Sequence, residues 1–301
     1  MEKTRKLSNG LIIPSIGSGS NEKTTEEIIY QSIKAGTRLI DTASAYKNET
    51  EVGKGIKKAL EENIIKREDL FIITKFAFEE KDDPETALNN SLKRLQLNYV
   101  DLFLDHWPSC KNYDDLNKYK LIPIKETWEK MEKLVLEGKT KSIGVSNYNV
   151  QNLINILSIC KIKPVCNEVE FHPYLYQKDL KHFCDKENIQ IIAYNPLTKG
   201  PYCKRSEEVI KKRKLDLFNE DIVKQLSKKY NRTLGQIILN WHVHLGVIPI
   251  PGTSNPNRMK ENLNSIDFIM DEEDYNKLSC FEDKQYRFCD SLPLFGIDIF
   301  A

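Results

Sequence analysis

No window of the chain approaches the roughly 18 uninterrupted apolar residues of a membrane-spanning helix, so none is expected. Nothing apolar follows the Met1-Glu-Lys-Thr-Arg-Lys start at signal-peptide length. An excess of either charge is also missing. Forty-five Lys and Arg stand against 44 Asp and Glu, so no overall field recruits nucleic acid or a membrane surface. Paired cysteines are absent too. Seven are scattered without C-x-x-C spacing, which fits reduced thiols in a cytoplasmic protein better than a disulfide framework or a zinc site. Gly17-Ser-Gly19-Ser-Asn-Glu22 lacks the last glycine of G-x-G-x-x-G, the mark of an open doubly wound dinucleotide fold. There is no internal repeat, low-complexity linker or boundary, so residues 1–301 read as one domain.

What is present is a regular alternation. Leu7-Ser-Asn-Gly10-Leu-Ile-Ile places Asn-Gly between apolar flanks, a hairpin signal near the N-terminus. Pro14–Ser18 reads as a first short strand, followed by strands at 38–41, 70–75, 100–105, 141–145, 165–169, 190–194 and 247–250. Helices are expected at 24–35, 48–62, 84–96, 124–138, 149–160, 177–187, 218–230 and 255–264, with Asp83-Pro84 and Asn255-Pro256 as start signals. The strands are continuous apolar runs, as when both faces are covered. Eight strands alternating with eight helices predict a closed (β/α)8 TIM barrel preceded by a β-hairpin.

Four polar residues punctuate the first third: Asp41, Tyr46, Lys75 and His106. Three end apolar strand segments, and a barrel of parallel strands would gather them at its C-terminal rim. An ammonium near a phenol favours the phenolate, so Lys75 is expected to draw the Tyr46 pKa down from its usual ~10. Asp41 would keep Lys75 charged, His106 would orient a substrate oxygen, and Trp107 would supply an apolar wall. Singly, each has a plainer explanation: a helix cap, a surface aromatic, a rim charge, a structural histidine. On successive strand ends they favour chemistry. His242-x-His244 and Glu168-x-Glu170-x-His172 lack convincing ligand spacing, so no metal is expected.

Asp41-Thr-Ala-Ser-Ala-Tyr46-Lys-Asn-Glu49, Ile72-Ile-Thr-Lys75, Leu104-Asp-His-Trp-Pro108, Ser142-Ile-Gly-Val-Ser-Asn147, Asn167-Glu-Val-Glu-Phe-His-Pro-Tyr174, Ile192-Ala-Tyr-Asn-Pro-Leu197 and Ile248-Pro-Ile-Pro-Gly-Thr-Ser-Asn-Pro-Asn-Arg258 occur in that order. Together they resemble the aldo-keto reductase family over effectively the whole chain. The resemblance implies NADPH-dependent reduction of aldehydes or ketones, with Tyr46 as general acid, Lys75 and Asp41 tuning it, and His106 orienting the substrate. It implies NADP(H) contacts from Ser20, Ser146, Asn147, Glu168, Tyr194, Asn195, Leu197 and Lys199. Thr253, Ser254, Asn255 and Arg258 are implied for the 2′-phosphate, Glu261 and Asn262 for adenine. The expected partner is a small carbonyl compound, and the expected state a monomer.

Three positions depart from the family pattern. Gly252 stands where many members carry a lysine on the 2′-phosphate, which leaves NADH use open. Glu168 replaces a glutamine; a buried negative charge there is expected to favour the oxidised, cationic ring. Asn21 replaces a tryptophan, so the substrate pocket is expected to be more open or more polar on that side. Two other readings compete: a cofactor-binding regulatory subunit of the same fold, and a dehydrogenase working chiefly in the alcohol-oxidising direction.

Overall fold

A computed structural model describes residues 1–109, 122–198, 204–289, 291–296 and 298–300. The chain opens with an antiparallel pair, β1 (Thr4–Lys6) and β2 (Ile12–Pro14), registered Thr4 to Pro14. Its turn is closed by Leu7 N donating to Leu11 O and Gly10 N to Leu7 O. Where the sequence pattern places a first strand over Pro14–Ser18, Pro14 belongs to this hairpin. The first parallel strand, β3, is Ser18–Gly19.

Seven more strands follow: β4 (Leu39–Asp41), β5 (Phe71–Phe76), β6 (Leu102–Asp105), β7 (Ile143–Ser146), β8 (Cys166–Glu170), β9 (Gln190–Tyr194) and β10 (Ile248–Pro249). They pair in parallel in chain order from β3 to β10, one curled sheet with helices between successive strands. Gly17 N donates to Pro249 O at 3.0 Å, joining the chain beside β3 to β10 at the opposite end of that order.

Two apolar layers result from the two-residue side-chain period of a strand. Leu39, Ile73, Leu102, Leu104, Cys166, Ile192 and Ile248 pack with one another and with Leu7 and Ile13 of the hairpin. Ile40, Ile72, Phe103, Ile143, Val145 and Ile191 face the helices. Gly144 has no room for a side chain: a Cβ there would lie 2.7 Å from Cys166 Sγ and 2.9 Å from Leu104 Cδ2.

The expected helices form within a few residues of their predicted ends. Leu234–His244 is a further helix outside those windows. Gln236 to Val243 are all buried, so it shows no polar face for a 3.6-residue period to reveal. Its usable signal was the Thr233–Gln236 capping box, in which each side chain accepts from the other residue's backbone N–H. No helix among the described residues is long and apolar enough to cross a membrane.

Candidate active site

Strand parity decides which polar side chains turn inward. Asp41 lies two residues beyond Leu39, Lys75 two beyond Ile73, His106 two beyond Leu104, Glu168 two beyond Cys166 and Tyr194 two beyond Ile192. Each shares its strand's inner face with an apolar residue of the interior layer. Asp41, Lys75, His106 and Tyr194 stand at or just past the C-terminal ends of their parallel strands, where the fold places its chemistry, and Glu168 lies mid-strand in β8.

Tyr46 closes a single 3-10 turn, Ser44–Tyr46. Ser44 Oγ donates to Glu80 and accepts from Ala77 N, binding the turn to the segment after β5. On its other side Asn48 accepts from Thr42 Oγ1 at 2.6 Å and donates to Ser20 Oγ and Asn21 O. That buried amide ties the loop after β4 to the loop after β3.

Lys75 is fully buried and lies against two carboxylates. Its Nζ is 2.6 Å from Asp41 Oδ1 and 3.1 Å from Glu168 Oε1, and it donates to Thr42 O. It sits 5.2 Å from the centroid of the Tyr46 ring, close enough for its charge to act on the phenol. Burial alone would lower its pKa, but the Asp41 and Glu168 charges outweigh it and hold the ammonium protonated. Burial raises Asp41 against the pull of Lys75. Glu168, raised by burial and by Asp41, reaches about 8.

The expected direction for Tyr46 is reversed. Burial raises its pKa; Lys75 opposes the rise, while Asp41 and Glu168 reinforce it. Burial is the largest effect and outweighs the pull of Lys75, so the phenol keeps its proton. His106 is held well below its ordinary value by burial and by Lys75, and is therefore neutral. Its ring meets Tyr46 edge-on at 5.7 Å, and its Nδ1 is buried with no partner among the described residues.

Behind His106 lies a second buried cluster. Lys81 Nζ bonds Asp105, Trp107 O and Tyr148 Oη, and Tyr148 Oη donates to Asp105 at 2.7 Å. It holds the residues on either side of His106.

A cavity of about 500 Å³ opens over these groups. Ser20, Asn21, Asp41, Tyr46, His106, Trp107, Asn147, Tyr194, Asn195, Leu197 and Gly252 line it. Ala77, Phe78, Pro196, Ile250 and Cys289 do too, and were not foreseen. Trp107 packs against Phe295 at 5.4 Å and Phe300 at 6.0 Å, and Phe78 against Phe295 at 5.3 Å, so the C-terminal segment backs the apolar side. Glu170 anchors that segment, accepting from Phe288 N, Cys289 N, Asn195 Nδ2 and His172 Nε2. Burial would raise Glu170, but His172 and these partners outweigh it and keep the carboxylate ionised.

Not every predicted contact reaches the cavity. Ser146 and Glu168 lie outside its lining, each about 1 % exposed. Ser146 Oγ donates to Glu168 O. Asn147 does line it, yet its amide donates to His106 O and Ser146 Oγ and accepts from Tyr194 Oη at 2.8 Å. That last bond fixes the Tyr194 ring as one wall. Glu168 points inward to Lys75, and with its carboxyl raised to about 8 it does not present the fixed negative charge expected of it at neutral pH.

Thr253, Ser254, Asn255, Arg258, Glu261 and Asn262 run from the cavity edge along the helix Pro256–Leu263, outside the lining itself. Asn255 Oδ1 caps that helix, accepting from Asn257 N and Arg258 N. Gly252 is not an empty slot for a longer residue, because a Cβ there would lie 3.0 Å from Gly19 O. Lys199 lies outside the described residues. His242 bonds the carbonyls of Ile238 and Phe171, and His244 stacks on Tyr275 at 3.5 Å.

Residues 6–282 match the Aldo/keto reductase family. The chain belongs to it. An aldo/keto reductase is an oxidoreductase acting on carbonyl or alcohol groups with a nicotinamide cofactor, and this chain is one. Aldose reductase B of Dictyostelium discoideum is 36% identical over 98% of both chains. The NAD(P)H-dependent D-xylose reductase of Candida tenuis is 37% identical over 98% of both. The Bombyx mori aldo-keto reductase in complex with NADP superposes with a TM-score of 0.84 at 31% identity, covering 96% of this chain and 95% of that one.

The reductase's own residues fit such a cofactor. The aromatic wall of Tyr194 and a cavity lined from Tyr46 to Gly252 leave room for a planar ring with a polar extension. Arg258 is exposed beyond the Gly252 end of the cavity, a guanidinium open to an anion.

Proposed function

We propose that this protein reduces aldehydes and ketones to alcohols with NADPH, and that Tyr46 is the general acid. The observation carrying this reading is the convergence of Tyr46 and His106 on one cavity wall, with Lys75 buried behind the phenol. When bound, the cofactor supplies the hydride. His106, neutral, holds the carbonyl oxygen by a hydrogen bond and places it beside the phenol. Tyr46 gives its proton to that oxygen as negative charge develops there. The phenolate left behind is stabilised by the Lys75 ammonium, which Asp41 at 2.6 Å helps keep charged. Trp107, Phe78 and Phe295 exclude water on one side, while Asn21 leaves a polar edge.

Tyr194 is assigned the nicotinamide face and Arg258 the 2′-phosphate, with Thr253 to Asn255 beside it. Arg258 supports a preference for NADPH, and Gly252 at the cavity edge leaves NADH usable. The eight strands are read as a closed (β/α)8 barrel, supported by the Gly17–Pro249 hydrogen bond between the ends of the strand order. The whole chain, 1–301, is read as that one unit.

The test is NADPH oxidation with a reactive aromatic aldehyde, wild type against Tyr46→Phe, each repeated with NADH. Loss of a positioned general acid should lower turnover by about 10² to 10⁴ while cofactor still binds. Cofactor binding without turnover across a broad aldehyde panel would favour a regulatory subunit instead.

A further inference from the structure

The carboxylates that meet at Lys75 leave one oxygen over. Asp41 Oδ1 and Glu168 Oε1 both contact Lys75 Nζ, whereas Glu168 Oε2 is buried with no hydrogen-bond partner. All three side chains are almost wholly withdrawn from solvent. With both carboxylates ionised the group would carry one net negative charge in a medium that penalises it. Burial and like-charge repulsion both favour taking up a proton there. The free Glu168 oxygen is the atom with no competing partner.

The geometry points to Glu168 as a proton-holding member of the catalytic network: it keeps a proton when the neutral, reduced nicotinamide occupies the cavity and releases it to solvent when the cationic, oxidised ring does. This rests on the cofactor reading above and deepens it. Glu168 then acts through Lys75 and Asp41, as a positioning residue for charge rather than a contact to substrate.

The groups around Glu168 leave it and Asp41 as the titrating pair. Asp41 faces it from β4, Lys75 from β5 and Tyr46 from the turn after β4, while Cys166 shares its strand. His106, after β6, adjoins the set through Lys75. On the flanking strands, Ser146 bonds the Glu168 backbone and Ile192 is its register partner. Burial holds the Tyr46 phenol and the Cys166 thiol protonated, and burial holds His106 neutral. Lys75 stays charged, its two carboxylates outweighing burial. Glu168, raised to about 8 by burial and Asp41, is left to change charge near neutrality. A positive ring above the network favours the carboxylate and lowers that value, so binding the oxidised cofactor expels a proton.

Calorimetric titrations of NADP⁺ and of NADPH, each in two buffers of different ionisation enthalpy, count the protons exchanged. Both cofactors carry the same phosphates, so their difference isolates the ring charge. If the ring lowers the carboxyl by roughly 1–2 pKa units, NADP⁺ should release about 0.4–0.8 proton more than NADPH near pH 7 in wild type. The NADP⁺-to-NADPH affinity ratio should then rise about tenfold or more from pH 6 to pH 9. Glu168→Gln, still binding both, should show no difference in proton release.

Equal proton release for the two cofactors in wild type overturns the inference without needing any variant. A difference that persists in Glu168→Gln overturns it as well, because another group would then hold the proton. If wild type binds neither cofactor, the reading in the preceding subsection falls and takes this one with it. These results are distinct in the same titrations.

Discussion

Replacing Lys75 by methionine keeps an unbranched side chain one atom shorter and removes its charge, so it isolates what the ammonium does for Tyr46. In the native site the Nζ lies 5.2 Å from the phenol ring centroid. A unit charge acting over that distance at an effective dielectric near 20 is worth about 3 kcal/mol to a developing phenolate. That corresponds to a loss of roughly 200-fold in the proton-transfer step. The two carboxylates left behind, Asp41 and Glu168, would be buried without a counter-charge and would take up protons instead of remaining ionised. The variant should therefore fold near pH 7 and bind cofactor. Single-turnover reduction of an aromatic aldehyde, followed by loss of NADPH absorbance, reads the chemical step apart from product release. Circular dichroism and cofactor affinity establish that the fold and the cavity survive. A folded, cofactor-binding Lys75→Met enzyme within tenfold of wild type would refute the reasoning, because the charge would then not be felt at Tyr46.

Three further outcomes are expected. Glu168 is raised to about 8 in the folded chain against roughly 4.3 unfolded, so the native state binds the extra proton between those values and loses stability as pH rises through that window. The Tm of Glu168→Gln minus that of wild type should accordingly increase from pH 5 to pH 8; a flat difference contradicts the assigned shift. Glu170→Gln weakens the bonds to Phe288 N and Cys289 N, and should cost about 2–3 kcal/mol, raise KM for the carbonyl substrate and speed amide exchange at those two residues. Unchanged exchange there would show that the C-terminal segment is held by its aromatic contacts alone. Arg258→Ala should weaken NADPH binding by roughly tenfold, about the 1–2 kcal/mol of one exposed charge-assisted contact, and leave NADH binding unchanged; equal losses for both cofactors would remove Arg258 from the 2′-phosphate.

The strands were legible because each is a short apolar run between polar breaks, and most formed within one or two residues of the predicted bounds. Asp41, Lys75 and His106 were legible for a related reason: they interrupt or follow those runs with charge or imidazole. The hairpin was marked by Asn9-Gly10, but the pattern could not assign Pro14, which suits either a hairpin strand or the start of the barrel. The helix Leu234–His244 was missed because a segment buried on nearly every side has no amphipathic period.

Sequence alone determined which residue types stand at strand ends, since local pattern and spacing carry that information. It could not determine the sign of the Tyr46 shift, because that depends first on how deeply the phenol is buried and then on the carboxylates around Lys75, one of which, Glu168, lies 93 positions beyond it. Nor could it show that Asn48 ties the loops after β3 and β4 together, that Glu170 anchors residues 288 and 289, or that a side chain at Gly252 would meet Gly19 O. Each of these is an electrostatic or steric sum over groups far apart in the chain. Only the curled sheet brings them within hydrogen-bonding distance, and so only the tertiary structure decided them.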